Sequence, residues 1–187
     1  MSFTETQKAF HLRKMRTRLR RLDYNEDGYI SHEDFDLMGR KLAEYSEVTG
    51  EQADVVRKEF MKIADAENLK PGRRIPVEKA AKKASKSILS MSPDKQKAMV
   101  HDTHNVLFDA IDTKKDGHIC LEEFRTYFFV IAPETSQADI IHSFNMIDVN
   151  RDKRISREEF LAAAEDFLSG VEETAISNVF FGKLLDV

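Results

Sequence analysis

Three twelve-residue stretches of the chain place oxygen-bearing side chains at matching intervals. They read DYNEDGYISHED (23–34), DTKKDGHICLEE (112–123) and DVNRDKRISREE (148–159). Each opens on an aspartate, has a second aspartate at its fifth position and closes on an acid. Carboxylates gathered this closely repel one another unless a cation sits among them. A hard divalent cation takes six to eight oxygens, among them a backbone carbonyl from the seventh position and a two-oxygen carboxylate grip from the twelfth. The first stretch offers Asp23, Asn25, Asp27, the carbonyl of Tyr29 and Asp34, with Ser31 acting through water. The second offers Asp112, Asp116, the carbonyl of His118 and Glu123. The third offers Asp148, Asn150, Asp152, the carbonyl of Arg154 and Glu159.

Donors at such intervals need elements that hold both ends of the loop. Leu19, Phe108 and Phe144 lie at helical spacing before Leu22, Ile111 and Ile147, and each loop is followed directly by phenylalanine: Phe35, Phe124 and Phe160. The repeated unit is therefore helix, loop, helix, and the loop follows the pattern of an EF-hand calcium site. The last two loops start 36 residues apart. A partner for the first loop at that separation falls on DAENLKPGRRIPVE (65–78), which is two residues too long and has Leu69 and Lys70 where ligands belong. It reads as a hand that keeps its pairing role without metal. Each loop has an isoleucine in a short extended segment, and the expected pairs are Ile30 with Ile75 and Ile119 with Ile155. The fold class expected is all-α, a two-lobed EF-hand protein with four helix-loop-helix units and short β-ladders between paired loops. Residues 1–91 form the first pair of hands, and 92–187 the second pair with a C-terminal helix over EETAISNVFFGKLLDV. Ser92 and Pro93 suit a helix start after the linker, and Ser2 with Glu5 and Thr49 with Gln52 read as capping boxes.

Each metal loop departs from the pattern once. Asp34 is one methylene shorter than glutamate, which favours a single oxygen contact and tilts the first loop toward Mg2+. Lys114 has donors only and cannot ligate, though its stem can carry the ammonium into solvent. At about 8 Å in a water-like dielectric its repulsion from a divalent ion is on the order of 1 kcal/mol, roughly fivefold in affinity. Lys153 replaces the turn glycine and must take a left-handed backbone at a cost of roughly 1–2 kcal/mol. Up to three Ca2+ sites of micromolar affinity are expected.

The rest of the chain bounds the function class. Over 187 residues the net charge is −4 and a single cysteine, Cys120, forms no internal disulfide. This balance argues against nucleic-acid binding. No apolar run reaches the roughly 18 residues of a membrane span, and neither a signal-peptide core nor a myristoylation glycine is present at the start. A cytoplasmic monomer is expected. No H-E-x-x-H, G-x-S-x-G or phosphate-cradling glycine loop supports an enzyme. His101 and His104 alone make a poor metal site and read as solvated or core residues. The basic run RKMRTRLRR (13–21) reads as a solvated helix face apart from Arg18, and KAAKKASKS (79–87) reads the same way.

FHLRKMRTRLRRLD, PGRRIPVEKAA and GVEETAISNVFFGKLL resemble the corresponding segments of the coelenterazine-binding (luciferin-binding) proteins of sea pansies, with a dead second hand in the same place. More distantly the chain is similar to sarcoplasmic calcium-binding proteins and calexcitins. The first resemblance implies two lobes closing on coelenterazine in an internal cavity and releasing it to a luciferase when calcium binds to hands one, three and four. It implies that Arg18 approaches the ligand, that Phe35 stands where the family has a pocket tyrosine, and that the segment with Phe180 and Phe181 closes the cavity. Where the family has aspartate and glycine, this chain has Lys114 and Lys153. Two other readings stay open. A sarcoplasmic-type calcium buffer would have a filled interior, and a calcium sensor would open a groove, with Met15, Met38, Met61 and Met99 as groove or core residues. A self-contained photoprotein is disfavoured by the absence of tryptophan.

Overall fold

The computed structural model describes residues 3–67 and 69–186. The element order is α1 (Glu5–Leu22), β1 (Tyr29–Ser31), α2 (His32–Tyr45), α3 (Gly50–Ala66), β2 (Arg74–Pro76), α4 (Val77–Leu89), α5 (Pro93–Ile111), β3 (His118–Cys120), α6 (Leu121–Ile131), α7 (Gln137–Ile147), β4 (Arg154–Ser156) and α8 (Arg157–Ser169). It is a helical protein with two short antiparallel ladders. In these, Ile30 pairs with Ile75 and Ile119 with Ile155, the pairs the loop alignment predicts. Among the described residues no helix is long and apolar enough to cross a membrane.

α1 packs on α4 and α2 on α3 in the first half, while α5 packs on α8 and α6 on α7 in the second. Contacts of α3 with α5, α2 with α6 and α1 with α8 join the halves, and one continuous apolar cluster runs from Met15 and Phe35 to Phe167 and Phe181. Met91 and Ser92 fall between α4 and α5, where Pro93 opens the next helix. The lysines of 79–87 are exposed, as the sequence suggests.

Five local expectations need correction. α1 is capped by Thr4 in a reciprocal box with Gln7, not by Ser2, which lies outside the described residues. Thr49 precedes α3 without a side-chain cap bond, because the Gln52 amide turns away and donates to the Thr113 carbonyl of the second half. Asp65 belongs to the last turn of α3 rather than to a loop, Leu69 is buried, and Asn68 of that stretch lies outside the described residues. The C-terminal piece is no amphipathic helix: it makes one 3-10 turn, Ile176–Asn178, and Val187 lies outside the described residues. Successive residues of a helix point about 100° apart, whereas both Phe180 and Phe181 must sink into the core. An irregular path ending in Gly182, at φ +79°, buries both.

The fifth correction concerns α1. Lys14, read as solvated, is fully buried together with His11 and Thr17. Its ammonium donates to the Gly170 carbonyl at 2.6 Å and the Asp166 carbonyl at 3.4 Å, and lies 5.2 Å from the Phe10 ring centre. Those carbonyls lie at the end of α8, where the helix dipole favours a cation; the Asp166 carbonyl also accepts from the capping Gly170 amide. His11 Nε2 donates to the Leu168 carbonyl at 2.8 Å and its Nδ1 accepts from Ser85 at 2.9 Å. Burial pushes the His11 imidazole down to about 4 and the Lys14 ammonium down to about 8.

Candidate metal loops and the adjoining cavity

The three acidic loops share one hydrogen-bond scaffold. The two oxygens of Asp23 accept from the Asp27 and Gly28 amides at 3.1 and 2.9 Å. Asp112 takes the Asp116 and Gly117 amides at 3.2 and 3.0 Å, and Asp148 the Asp152 and Lys153 amides at 3.1 and 3.0 Å. The closing acids bridge both limbs of each loop. Glu123 accepts from the amides of Lys114 and Cys120, each at 3.0 Å, and Glu159 from those of Asn150 and Ser156 at 3.1 and 2.9 Å. Asp34 does the same despite its shorter arm, taking the Tyr24 amide at 3.1 Å and the Ser31 amide and hydroxyl at 2.8 Å each. Its side chain is fully buried. Burial raises the Asp23 carboxyl above its usual range, with the nearby Asp34 and Asp27 adding to the rise and amide bonds from Gly28 and Asp27 opposing it. A cation is the group that would relieve such a pair of buried acids, so the donor set fits a hard divalent ion.

Asn25, Asp27, Tyr29, Asp116, His118, Asn150, Asp152 and Arg154 lie between the helices that flank each loop. Among the described residues no three acidic, thiol or imidazole groups converge on one point; the carboxylates are engaged by loop amides, and the remaining donors are Asn oxygens and backbone carbonyls. Lys114 reaches across its own loop, donating to Glu122 at 2.9 Å and to the Cys120 sulfur at 3.3 Å. Lys153 takes a left-handed backbone at φ +68°, where the first two loops have Gly28 and Gly117 at φ +83° and +84°. One feature was not legible in the loops themselves. Arg74, from the degenerate partner, donates to Asp27 Oδ2 at 2.5 Å while its guanidinium lies 4.4 Å from the Tyr29 ring centre. It neutralises part of the charge that a metal would use.

Beside the first loop lies a cavity of about 340 Å³. Ile30, Phe35 and Ile75 wall it from the loop side, Arg18 and Leu19 from α1, and Ala84 and Ile88 from α4; Met99 and Thr103 close it from α5. A smaller void of about 20 Å³ shares Arg18, Phe35 and Thr103 with it and continues inward to His104, Tyr127 and Phe181. Arg18 and Phe35 thus face both spaces, and Phe181 faces the inner one. Phe180 sits behind Phe181, 5.4 Å from the Phe160 ring centre and 5.8 Å from Phe167. Arg18 is 5% exposed and pairs with Glu67 through Nη2, leaving Nε without a partner. His101 and His104, three apart in sequence, separate: His101 lies on Glu165 at the surface, and His104 is buried. Sequence reasoning missed Glu67, Thr103 and Tyr127 because nothing in their spacing marks a cavity.

The EF-hand domain-pair family matches residues 102–165 and a single EF-hand family matches 15–38. The luciferin-binding protein of Renilla reniformis is 42% identical over 182 residues, covering 97% of this chain and 98% of its own. A sarcoplasmic calcium-binding protein of Perinereis vancaurica tetradentata is 30% identical over 176 residues, 93% of this chain and 98% of its own. The crystal structure of the calcium-loaded, ligand-free coelenterazine-binding protein of Renilla muelleri superposes with a TM-score of 0.91 at 42% identity, covering 97% of this chain and all of that one. The chain is a calcium-binding EF-hand protein and belongs to the family of the Renilla luciferin-binding protein.

Proposed function

We propose that this chain carries coelenterazine or a similar apolar aromatic molecule and releases it when calcium binds, with a luciferase as acceptor. The observation that carries the reading is the 340 Å³ cavity against the first loop. It falls in the range of sites for small organic ligands, roughly 300–1,000 Å³. Its relatives in Renilla bind such a ligand by name.

Calcium, when bound, supplies positive charge to the carboxylates of loops one, three and four. The donors are Asp23, Asn25, Asp27, Tyr29 and Asp34; Asp112, Asp116, His118 and Glu123; and Asp148, Asn150, Asp152, Arg154 and Glu159. Coupling to the cavity runs through adjacency. Asp34 is followed at once by Phe35, and Ile30 pairs with Ile75, so the last acid, the ladder and the cavity wall are one connected piece. An Asp34 carboxylate that turns inward draws the start of α2, and with it Phe35. Asp34 reaches less far than glutamate, which gives the first loop a lean toward Mg2+.

The test is to load the protein with coelenterazine in chelator, remove free ligand by gel filtration, then add calcium and measure released ligand with a luciferase. Retention in chelator and release within the mixing time are expected. Failure to co-elute at micromolar concentrations would reject the carrier. The sarcoplasmic relative favours a second reading, a buffer; it requires calcium binding that is indifferent to coelenterazine.

A further inference from the structure

The inner void has chemistry of its own. Most of its wall is apolar: Leu22, Phe60, Ile63, Leu107, Ile131 and Phe181. The polar residues of that wall are Arg18, Thr103, His104 and Tyr127. Arg18 Nε and His104 Nε2 are two of the six buried side-chain polar atoms without a partner among the described residues. Arg18 is 5% exposed and His104 2%. Buried polar atoms are nearly always satisfied, so two orphans facing one void point to a group that belongs between them.

Their characters define that group. His104 Nδ1 lies 3.2 Å from the Val100 carbonyl, which only accepts, so Nδ1 carries the proton. Thr103, whose hydroxyl donates to the Met99 carbonyl at 3.0 Å, accepts from the same Nδ1 at 2.8 Å. Burial, with Arg18 nearby, pushes the imidazole down to about 3, so the ring is neutral. His104 Nε2 is then a lone-pair acceptor, while Arg18 Nε is an N–H donor. A group that gives one hydrogen bond and takes another is a hydroxyl. The void, about 20 Å³, holds one oxygen and no ring. The ring that bears this oxygen has its place in the adjoining cavity, whose wall shares Arg18, Phe35 and Thr103.

We propose that the void is a hydroxyl subsite, in which a phenol of the bound aromatic ligand donates to His104 Nε2 and accepts from Arg18 Nε. The inference rests on the carrier reading and deepens it, assigning His104 to recognition of a hydroxyaromatic ligand.

The experiment measures dissociation constants in chelator for coelenterazine and for its two analogues that each lack one phenol hydroxyl. Wild type, His104→Phe and His104→Gln are compared, with circular dichroism and calcium stoichiometry as checks of folding. Wild type should bind one of the deoxy analogues at least roughly tenfold more weakly than coelenterazine, since a site built for a hydroxyl rejects its absence. That gap should vanish in His104→Phe and return in part in His104→Gln, whose amide can accept. If wild type binds all three compounds equally, the void holds water only and the inference is overturned while the carrier reading stands. A gap that persists unchanged in folded His104→Phe also overturns it. If none of the three compounds binds wild type, the carrier reading itself fails, and the subsite with it.

Discussion

Lys114 stands at the third position of its loop and reaches across it, with its ammonium on Glu122 and Cys120. Replacing Lys114 with Asp adds a carboxylate oxygen and removes a cation, so calcium affinity at that loop should rise at least roughly fivefold by calorimetry. No change would mean that the third position plays no part in binding. Arg74 poses the opposite case, a cation supplied from outside the loop. Arg74→Ala frees Asp27, and affinity at the first loop should increase, by up to roughly fivefold because the pair is half exposed. A fall in affinity would show instead that Arg74 positions Asp27. Two buried histidines set a pH limit. The folded-state values of His11 and His104, about 4 and about 3, lie below the ordinary 6.5. As pH falls from 6.5 the unfolded chain takes up these protons first, so stability is full above 6.5 and is lost toward pH 4 and below. Denaturant titrations at pH 7, 5.5 and 4.5 should show the loss, and it should shrink in His11→Gln. Lys14, pushed down to about 8 from 10.5, obeys the same sign: its burial penalty fades as pH rises between those values.

At the scale of elements, α1 and the C-terminal segment act as one clamp. Lys14 holds the end of α8, the Thr17 hydroxyl accepts from the Leu185 amide at 3.1 Å, and Arg13 donates to the Leu185 carbonyl at 3.0 Å. Ser143 on α7 donates to the Val179 carbonyl at 2.9 Å. These bonds fix a strand of chain that has no ladder or helix to support it, and the aromatic contacts of Phe180 and Phe181 supply the burial. Phe181→Ala should therefore cost about 3–5 kcal/mol of stability, read as a lower denaturation midpoint. A loss below 1 kcal/mol would mean the segment is only loosely seated. Gly170→Ala should also destabilise, because a Cβ there would stand 2.4 Å from the Asp166 carbonyl oxygen, one of the two acceptors of Lys14.

For the molecule as a whole, three loops of one kind imply linkage between metal and fold. Calcium at a hundred times the dissociation constant of a site adds about 2.7 kcal/mol of stability for that site. Melting in excess calcium should thus occur well above melting in chelator, and three successive single-loop variants, Asp23→Ala, Asp112→Ala and Asp148→Ala, should each remove part of the difference. A melting point indifferent to calcium would contradict the loop assignments. The halves are not independent in this respect, since Gln52 on α3 donates to the Thr113 carbonyl inside the second metal loop, 112–123.

What the sequence determined by itself was the repeated unit, which rests on short-range periodicity. Aspartates at fixed loop positions, apolar residues at helical spacing and an isoleucine in each loop fixed the helix-loop-helix units and the ladder registers of Ile30 with Ile75 and Ile119 with Ile155. The left-handed turn at Lys153 followed from its place in the loop. Tertiary structure alone decided the rest, because it depends on which distant surfaces meet. A charged residue such as Lys14 is buried only because the carbonyls at the end of α8 arrive opposite it. Arg74 reaches Asp27 only because the ladder brings the degenerate loop alongside. His104 became a buried acceptor beside Arg18 when α1 and α5 packed around a common void, and no spacing along the chain encodes a gap between two helices.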